Sequence, residues 1–291
     1  MTAVAETATG PVISGPGVYD MPEDIYHADP VPGGSLSVSG AKKLLPPSCP
    51  AIFHYEREHP KPPSEAMELG TVAHKMVLGS GPGIVVVDAA NWMTKAAKEQ
   101  RDAARLAGKV PLLRKDFERA QVMADAVRAH PTAGALFSPG SGLPERSLFW
   151  EDAMTGVMLR SRLDWLRHPS GGRLIIVDLK FGASAEPGAV AKQIFNLRYF
   201  MQAAWYADGA AALGLHSCPD FLFVCVESAP PHLITIHQLT DDAMNAGRAL
   251  NQQAIERYRD CMEAGVWPGY SDEPIELIDL PPWAYRQLEI L

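Results

Sequence analysis

Asp178 and Lys180 close the apolar run Ile175-Ile176-Val177-Asp178-Leu179-Lys180. Residues two apart on an extended strand project from one face, so a carboxylate and an ammonium share a surface of a sheet. Asp164 ends a second strand-like stretch, Met158-Leu159-Arg160-Ser161-Arg162-Leu163. Two carboxylates converging from strand ends suit a hard divalent cation held by oxygen. A lysine beside them suits a water molecule that has to be oriented or held as hydroxide. Phosphodiester hydrolysis calls for this combination, because it needs an activated water, neutralised phosphate charge and a stabilised leaving oxygen. Taken alone, Asp-x-Lys equally describes a solvated strand end with an incidental ion pair.

Further elements flank the acids in a fixed order: Gly70-x-x-x-His74, then Asp164, Asp178 and Lys180, then Gln202-x-x-x-Tyr206. Gly70 and His74 read as one helical turn, with Gly70 letting a neighbouring backbone come close. Gln202 and Tyr206 share a helix face with Tyr199, a row that also suits a buried seam. The ordered set resembles the PD-(D/E)XK nuclease superfamily, and within it the RecB-like and RecE-like exonuclease branch. The resemblance runs from about Tyr19 to the region of Trp283. It takes in Tyr26-His27-Ala28-Asp29-Pro30, Gly265-Val266-Trp267-Pro268-Gly269-Tyr270 and Pro281-Pro282-Trp283.

That resemblance implies an α/β fold with a restriction-endonuclease-like core, a central mixed sheet flanked by helices. It implies Mg²⁺, with Mn²⁺ as the alternative ion, held by Asp164, Asp178 and the backbone carbonyl of Leu179. His74 would be a second-metal ligand or a phosphate contact, and Glu145 an additional acid near the metal. Lys180 would act on the attacking water, while Gln202 and Tyr206 would border the site and hold the DNA backbone. The resemblance further implies attack on double-stranded DNA ends, 5′ to 3′, in recombination. A ring-shaped homo-oligomer and a single-strand annealing partner belong to the same implication. Two alternatives stay open: a noncatalytic DNA-binding or scaffold protein of this fold, and a structure-specific or nicking endonuclease. Closed circular DNA separates the enzymes, since an endonuclease cuts it and an exonuclease waits for an end.

Composition narrows the setting. The chain has 291 residues, 47% of them apolar, enough for a substantial core in one domain spanning 18–291. Met1 to Gly17 is rich in Ala, Thr, Gly and Pro and reads as a flexible leader. No segment has the length of a transmembrane helix, so cytoplasmic residence without membrane contact is expected. Cys49, Cys218, Cys225 and Cys261 are scattered, which suggests neither a zinc site nor a disulfide framework. Cys49-Pro50 is similar to the first cysteine of the iron–sulfur cluster in some RecB-like nucleases, but the tight late group is missing, so no iron–sulfur cluster is expected. A net charge of −8 argues against coating nucleic acid, and any DNA contact must be local. Lys95, Lys98, Arg101 and Arg105 recur at helical spacing and form either a phosphate track or a solvated helix face. Gly-x-Ser-x-Gly, Walker-type and His-Glu-x-x-His patterns are absent.

The elements that must position these residues follow from periodicity and punctuation. Ser37 or Ser39 caps a helix ended by Pro46-Pro47, and helices are expected over 51–58, 64–78, 91–107 and 114–129, the last stopped by Pro131. Pro60 to Ser64 is a loop, 84–87 a short strand, and Gly79 to Gly83 a turn. A meander of strands over 146–150, 157–164 and 173–180 is separated by turns at 152–156 and 168–172. One helix over 189–213, strands over 221–227 and 233–239, and a long helix over 241–263 complete the chain.

Overall fold

In the computed structural model, which describes residues 12–59, 64–167, 172–271, 273 and 275–288, the chain opens with strand β1 (Gly17–Asp20) and helix α1 (Glu23–His27). Strand β2 (Leu36–Ser37) leads into helix α2 (Val38–Lys43), which Ser37 caps by accepting from the Gly40 amide at 3.3 Å. Helix α3 (Pro50–Glu58) precedes α4 (Glu65–Leu78), which is capped by Ser64 and ended by Gly79 at a φ of 73°. That left-handed conformation is one that glycine takes without a Cβ clash. Strands β3 (Ile84–Val87) and β4 (Val110–Leu113) pair in parallel around helix α5 (Lys95–Leu106) as a separate small sheet. Helices α6 (Arg114–Ala129) and α7 (Pro131–Leu136) follow. Pro131 stops α6 as expected and also opens α7, since the first helical position has no partner for an N–H in any case.

The main sheet comes from the middle of the chain. Strands β5 (Leu143–Glu151), β6 (Met158–Arg167) and β7 (Ile175–Gly182) form the expected antiparallel meander. Helices α8 (Pro187–Asn196) and α9 (Tyr199–Ala212) carry the chain across to β8 (Asp220–Glu227), which runs parallel to β7. A parallel pair needs such a crossover. Strand β9 (Ile234–His237), the long α10 (Asp241–Ala264) and the exposed α11 (Pro282–Leu288) complete the described chain. The seven-stranded sheet has the order β1-β5-β6-β7-β8-β9, with β2 beside β6. It is the expected mixed α/β arrangement. One face packs Ile176, Phe221 and Phe223 with Met201 and Trp205 of α9 and with α2 and α10. The other packs Val177, Leu179, Val224 and Val226 against α4, α6 and α7.

Three expectations differ from the structure. The single helix over 189–213 is two, broken at Leu197-Arg198 with Arg198 at a φ of 52°. Its guanidinium donates to the Lys42 carbonyl oxygen at 3.4 Å and to the Pro46 carbonyl, and these contacts hold the left-handed residue. The helix expected from Asn91 starts at Lys95, because the Thr94 hydroxyl captures the Ala97 amide. The leader ends earlier than Gly17, which begins β1. Residues 1–11 of that leader, residues 60–63 of the expected loop and residues 168–171 of the expected turn lie outside the described residues. No helix among the described residues is long and apolar enough to cross a membrane.

Strands β6 and β7 are ten and eight residues long, yet they pair only through Trp165↔Val177, Leu166↔Ile176 and Arg167↔Ile175. Beyond that point β7 stays paired with β8 as far as Gly182. Strand β6 instead takes β2 as a parallel neighbour at Leu159 and Arg160. The sheet therefore forks at Asp164 and Asp178.

Candidate active site

The fork leaves backbone groups without ladder partners, and an acidic side chain takes one such place. Continuing the two registers sets Asp164 opposite Asp178 on one side and opposite Glu145 on the other. Asp164 Oδ2 accepts from the freed amide of Leu179 at 2.8 Å. Glu145 sits at a φ of 54°, sparsely populated for a residue with a side chain, and its Oε2 accepts from Arg162 Nε at 2.6 Å. Asp178 is 1% exposed. Its Oδ1 accepts from Gln202 Nε2 at 2.6 Å, and its Oδ2 lies 2.6 Å from Lys180 Nζ.

His74, on α4, reaches into the same space. Its Nε2 lies 2.9 Å from Asp164 Oδ2 and 3.1 Å from the Leu179 carbonyl oxygen, and its Nδ1 lies 3.9 Å from Glu145 Oε1. The imidazole thus occupies a position among three oxygens, where a small cation would also be favoured. A cleft of about 630 Å³ opens over these groups, with walls that include Tyr26, Ser37, Gly70, Arg160 and Tyr206.

Charge and burial oppose each other throughout the site. Burial pushes Asp178 up to about 6, against the pull of Lys180. Burial would also raise Asp164, but His74, Lys180 and the Leu179 amide outweigh it and hold the carboxyl below its ordinary value. Burial works against the charge on His74, yet Asp164 and Glu145 hold the ring up at about 9. Lys180 is likewise held above its ordinary value: Asp178 and Asp164 overcome desolvation. Glu145 is raised by burial and by Asp164. The two sheet acids are therefore pushed apart in proton affinity, a pattern that groups at reactive sites share.

The fork brings together Asp164, Asp178, Leu179, Lys180, His74, Glu145 and Gln202, and Tyr206 lines the cleft above them. The expected role of Gly70 needs correction. A Cβ there would meet nothing within 4 Å, so the glycine leaves the cleft wall open and no neighbouring backbone uses the gap. The basic stripe is divided. Lys95 and Lys98 are exposed, Arg101 bonds to Asp102 and lies over the Trp92 ring, and Arg105 donates to buried Glu68 at 2.8 Å. Among the described residues, no three His, Cys, Asp or Glu side chains form a ready metal cage, and the four cysteines are unpaired.

Some residues of the site are absent from the sequence expectations. Arg160 and Arg162 alternate with Asp164 on β6, so period two alone places them on the cleft side. Arg160 is bonded to Ser35 and paired with Asp29 at 2.7 Å. Lys42 lies with its ammonium 5.3 Å from the centre of the Tyr199 ring, while Lys180 lies 4.9 Å from the same ring. No local pattern around Lys42 announces this position.

Residues 37–280 match the family described as "PDDEXK-like domain of unknown function (DUF3799)". The chain belongs to that family. The match begins at Ser37, later than the Tyr19 at which the sequence resemblance starts, and it contains every candidate site residue. Among solved structures, the PDDEXK-like fold recurs in a protein of Eubacterium rectale described as a "putative exonuclease". The TM-score is 0.59 at 14% identity, covering 85% of this chain and 90% of that one. The protein SSO0001 is also 14% identical, covering 80% of this chain and 85% of that one, at a TM-score of 0.37. No curated protein matches the chain. The expected superfamily and its restriction-endonuclease-like fold are thus borne out.

Proposed function

We propose that this PDDEXK-like protein is a metal-dependent nuclease that hydrolyses DNA phosphodiester bonds from duplex ends. The observation that supports this reading best is the convergence of Asp164, Asp178 and Lys180 at the fork between β6 and β7. Fold alone would carry less, because one fold hosts many activities. The donor set fits Mg²⁺ or Mn²⁺: Asp164, Asp178 and the Leu179 carbonyl are hard oxygens, with Glu145 as a further carboxylate. A bound Mg²⁺ would neutralise phosphate charge and lower the pKa of a water molecule.

The protein's own groups have separable tasks in this account. Lys180 orients the attacking water and stabilises its hydroxide form, held in place by Asp178 and the Tyr199 ring. Gln202 fixes the rotamer of Asp178 by its 2.6 Å bond. His74 contributes positive charge beside Asp164 and Glu145 until a metal or a phosphate takes that position. Lys95 and Lys98 supply the exposed part of a DNA-contacting stripe together with Arg101, while Arg105 is held by buried Glu68. End dependence, 5′ to 3′ polarity, a ring-shaped homo-oligomer, an annealing partner, a role in recombination and cytoplasmic residence rest on the resemblance to RecE-like exonucleases.

Linear duplex and covalently closed circular DNA, each incubated with Mg²⁺ and with EDTA, test the proposal. Progressive shortening of the linear DNA, with intact circles and no reaction in EDTA, is the expected result. Cutting of circles at the linear rate would replace the exonuclease reading with an endonuclease. No cleavage of either, with DNA still bound, would favour the scaffold alternative.

A further inference from the structure

Lys180 has a carboxylate partner in Asp178, but the cation on the other side of the site does not. Among the described residues, the ammonium of Lys42 makes no hydrogen bond or ion pair; it lies over the Tyr199 ring and feels Asp178 without pairing to it. Two ammonium groups, from α2 and from β7, therefore use one aromatic ring. A ring quadrupole attracts a cation but does not neutralise it. Arg198 adds a third positive group by donating to the Lys42 backbone carbonyl at 3.4 Å. Asp178 is spent on Lys180 and Gln202.

The position of Lys42 is built into the fold. Ser37 starts α2 where β2 docks on β6, and the Arg257 guanidinium holds the other end through the Leu44 carbonyl at 3.2 Å. The first turn of α2 lines the cleft through Ser37, Val38 and Ser39, and Lys42 follows one turn later. We infer that Lys42 is a substrate-binding residue that contacts a DNA backbone phosphate next to the bond held at Asp164, Asp178 and Lys180. A phosphate supplies the charge that the Lys42, Lys180 and Arg198 group lacks, and an ammonium binds it as a point charge. Burial, with Lys180 and Arg198 nearby and Asp178 opposing them, lowers Lys42 to about 8. A cation depressed by desolvation and like charge gains most from an arriving anion.

The inference rests on the nuclease reading above, and the test separates the two. Fluorescence anisotropy of a labelled linear duplex in EDTA measures binding without requiring cleavage. Lys42→Ala should weaken binding about tenfold. It should also reduce the slope of log K against log salt by roughly 0.9, the share of one phosphate on duplex DNA. Lys42→Arg should recover most of the affinity and the slope, whereas loss of packing on Tyr199 alone would leave the slope of Lys42→Ala at its wild-type value. Thermal melting of each variant checks the fold, and Lys42→Gln is the substitute should the alanine variant unfold. Wild-type affinity and slope in a folded Lys42→Ala or Lys42→Gln protein would overturn the assignment. If the wild type binds DNA but does not cleave it with Mg²⁺, the nuclease reading fails while the Lys42 contact still stands or falls on its slope.

Discussion

Arg105→Ala should be a stability variant before it is a DNA-binding variant. The Glu68 side chain is 3% exposed and accepts from Arg105 Nε at 2.8 Å, while the Arg105 side chain is 27% exposed. Removing the guanidinium leaves a carboxylate buried without its counter-ion. An exposed pair would cost about 0–1 kcal/mol to break. Breaking a fully buried pair costs about 3–5 kcal/mol, most of it the stranded charge. Glu68 belongs to the buried limit, but water can reach the space left by a partner that is one-quarter exposed, so a loss of about 2–3 kcal/mol follows. At roughly 2 °C per kcal/mol for a chain of this size, the melting temperature should fall by about 5 °C. Urea unfolding followed by circular dichroism gives the free energy, and Glu68→Gln with Arg105→Ala closes a double-mutant cycle. The Gln background should recover part of the loss because no charge is then stranded. A folded Arg105→Ala protein within about 0.5 kcal/mol of wild type, but impaired in DNA binding, would refute this reasoning and return Arg105 to the phosphate track.

Other positions give equally direct outcomes. At Gly247 a methyl group would collide with the Phe200 carbonyl oxygen and Ala204, so Gly247→Ala should separate α10 from α9. It should cost about 1–2 kcal/mol net of the helix-propensity gain; a stabilised variant would show that the helices shift freely. A Cβ at Gly70 meets open space in the cleft wall, so Gly70→Ala should keep or slightly stabilise the fold while KM for DNA rises; an unchanged KM would remove α4 from the substrate path. In EDTA, the His74 pKa of about 9 lies above its unfolded value of about 6.5. Its contribution, at most about 3 kcal/mol, is present in full below pH about 6.5 and lost as pH rises through 9. His74→Phe should flatten that decline, and a decline of the same size in the variant would contradict the assignment.

Legibility from sequence followed the range of the interactions. The β7 run with Asp178 and Lys180 was readable because period two is local, and so was Asp164 on an alternating strand, although β6 runs on past it to Arg167. The helices α4, α6 and α10 showed their 3.6-residue periods. The fork was not readable, since it depends on β2, two residues long, pairing with Leu159 and Arg160 far along the chain. Neither was the break between α8 and α9, because Arg198 takes a left-handed conformation that a glycine would ordinarily mark. Lys42 reaches the site only through the packing of α2 on α9, and nothing in Val38 to Lys43 encodes that approach. Gly70 was recognised as special but assigned a close contact, whereas its use is to leave space. The Glu68–Arg105 pair shows the converse: spacing placed Arg105 on a stripe, and a buried acid on another helix claimed it.

The central claim is that Asp178 is a metal-binding acid of a nuclease, and Asp178→Asn tests it most directly. The substitution keeps the size of the side chain and removes one charge, with the fold checked by thermal melting. Cleavage of end-labelled linear duplex in Mg²⁺ should fall by roughly a hundredfold or more. A folded Asp178→Asn protein that shortens the duplex at the wild-type rate would contradict the account.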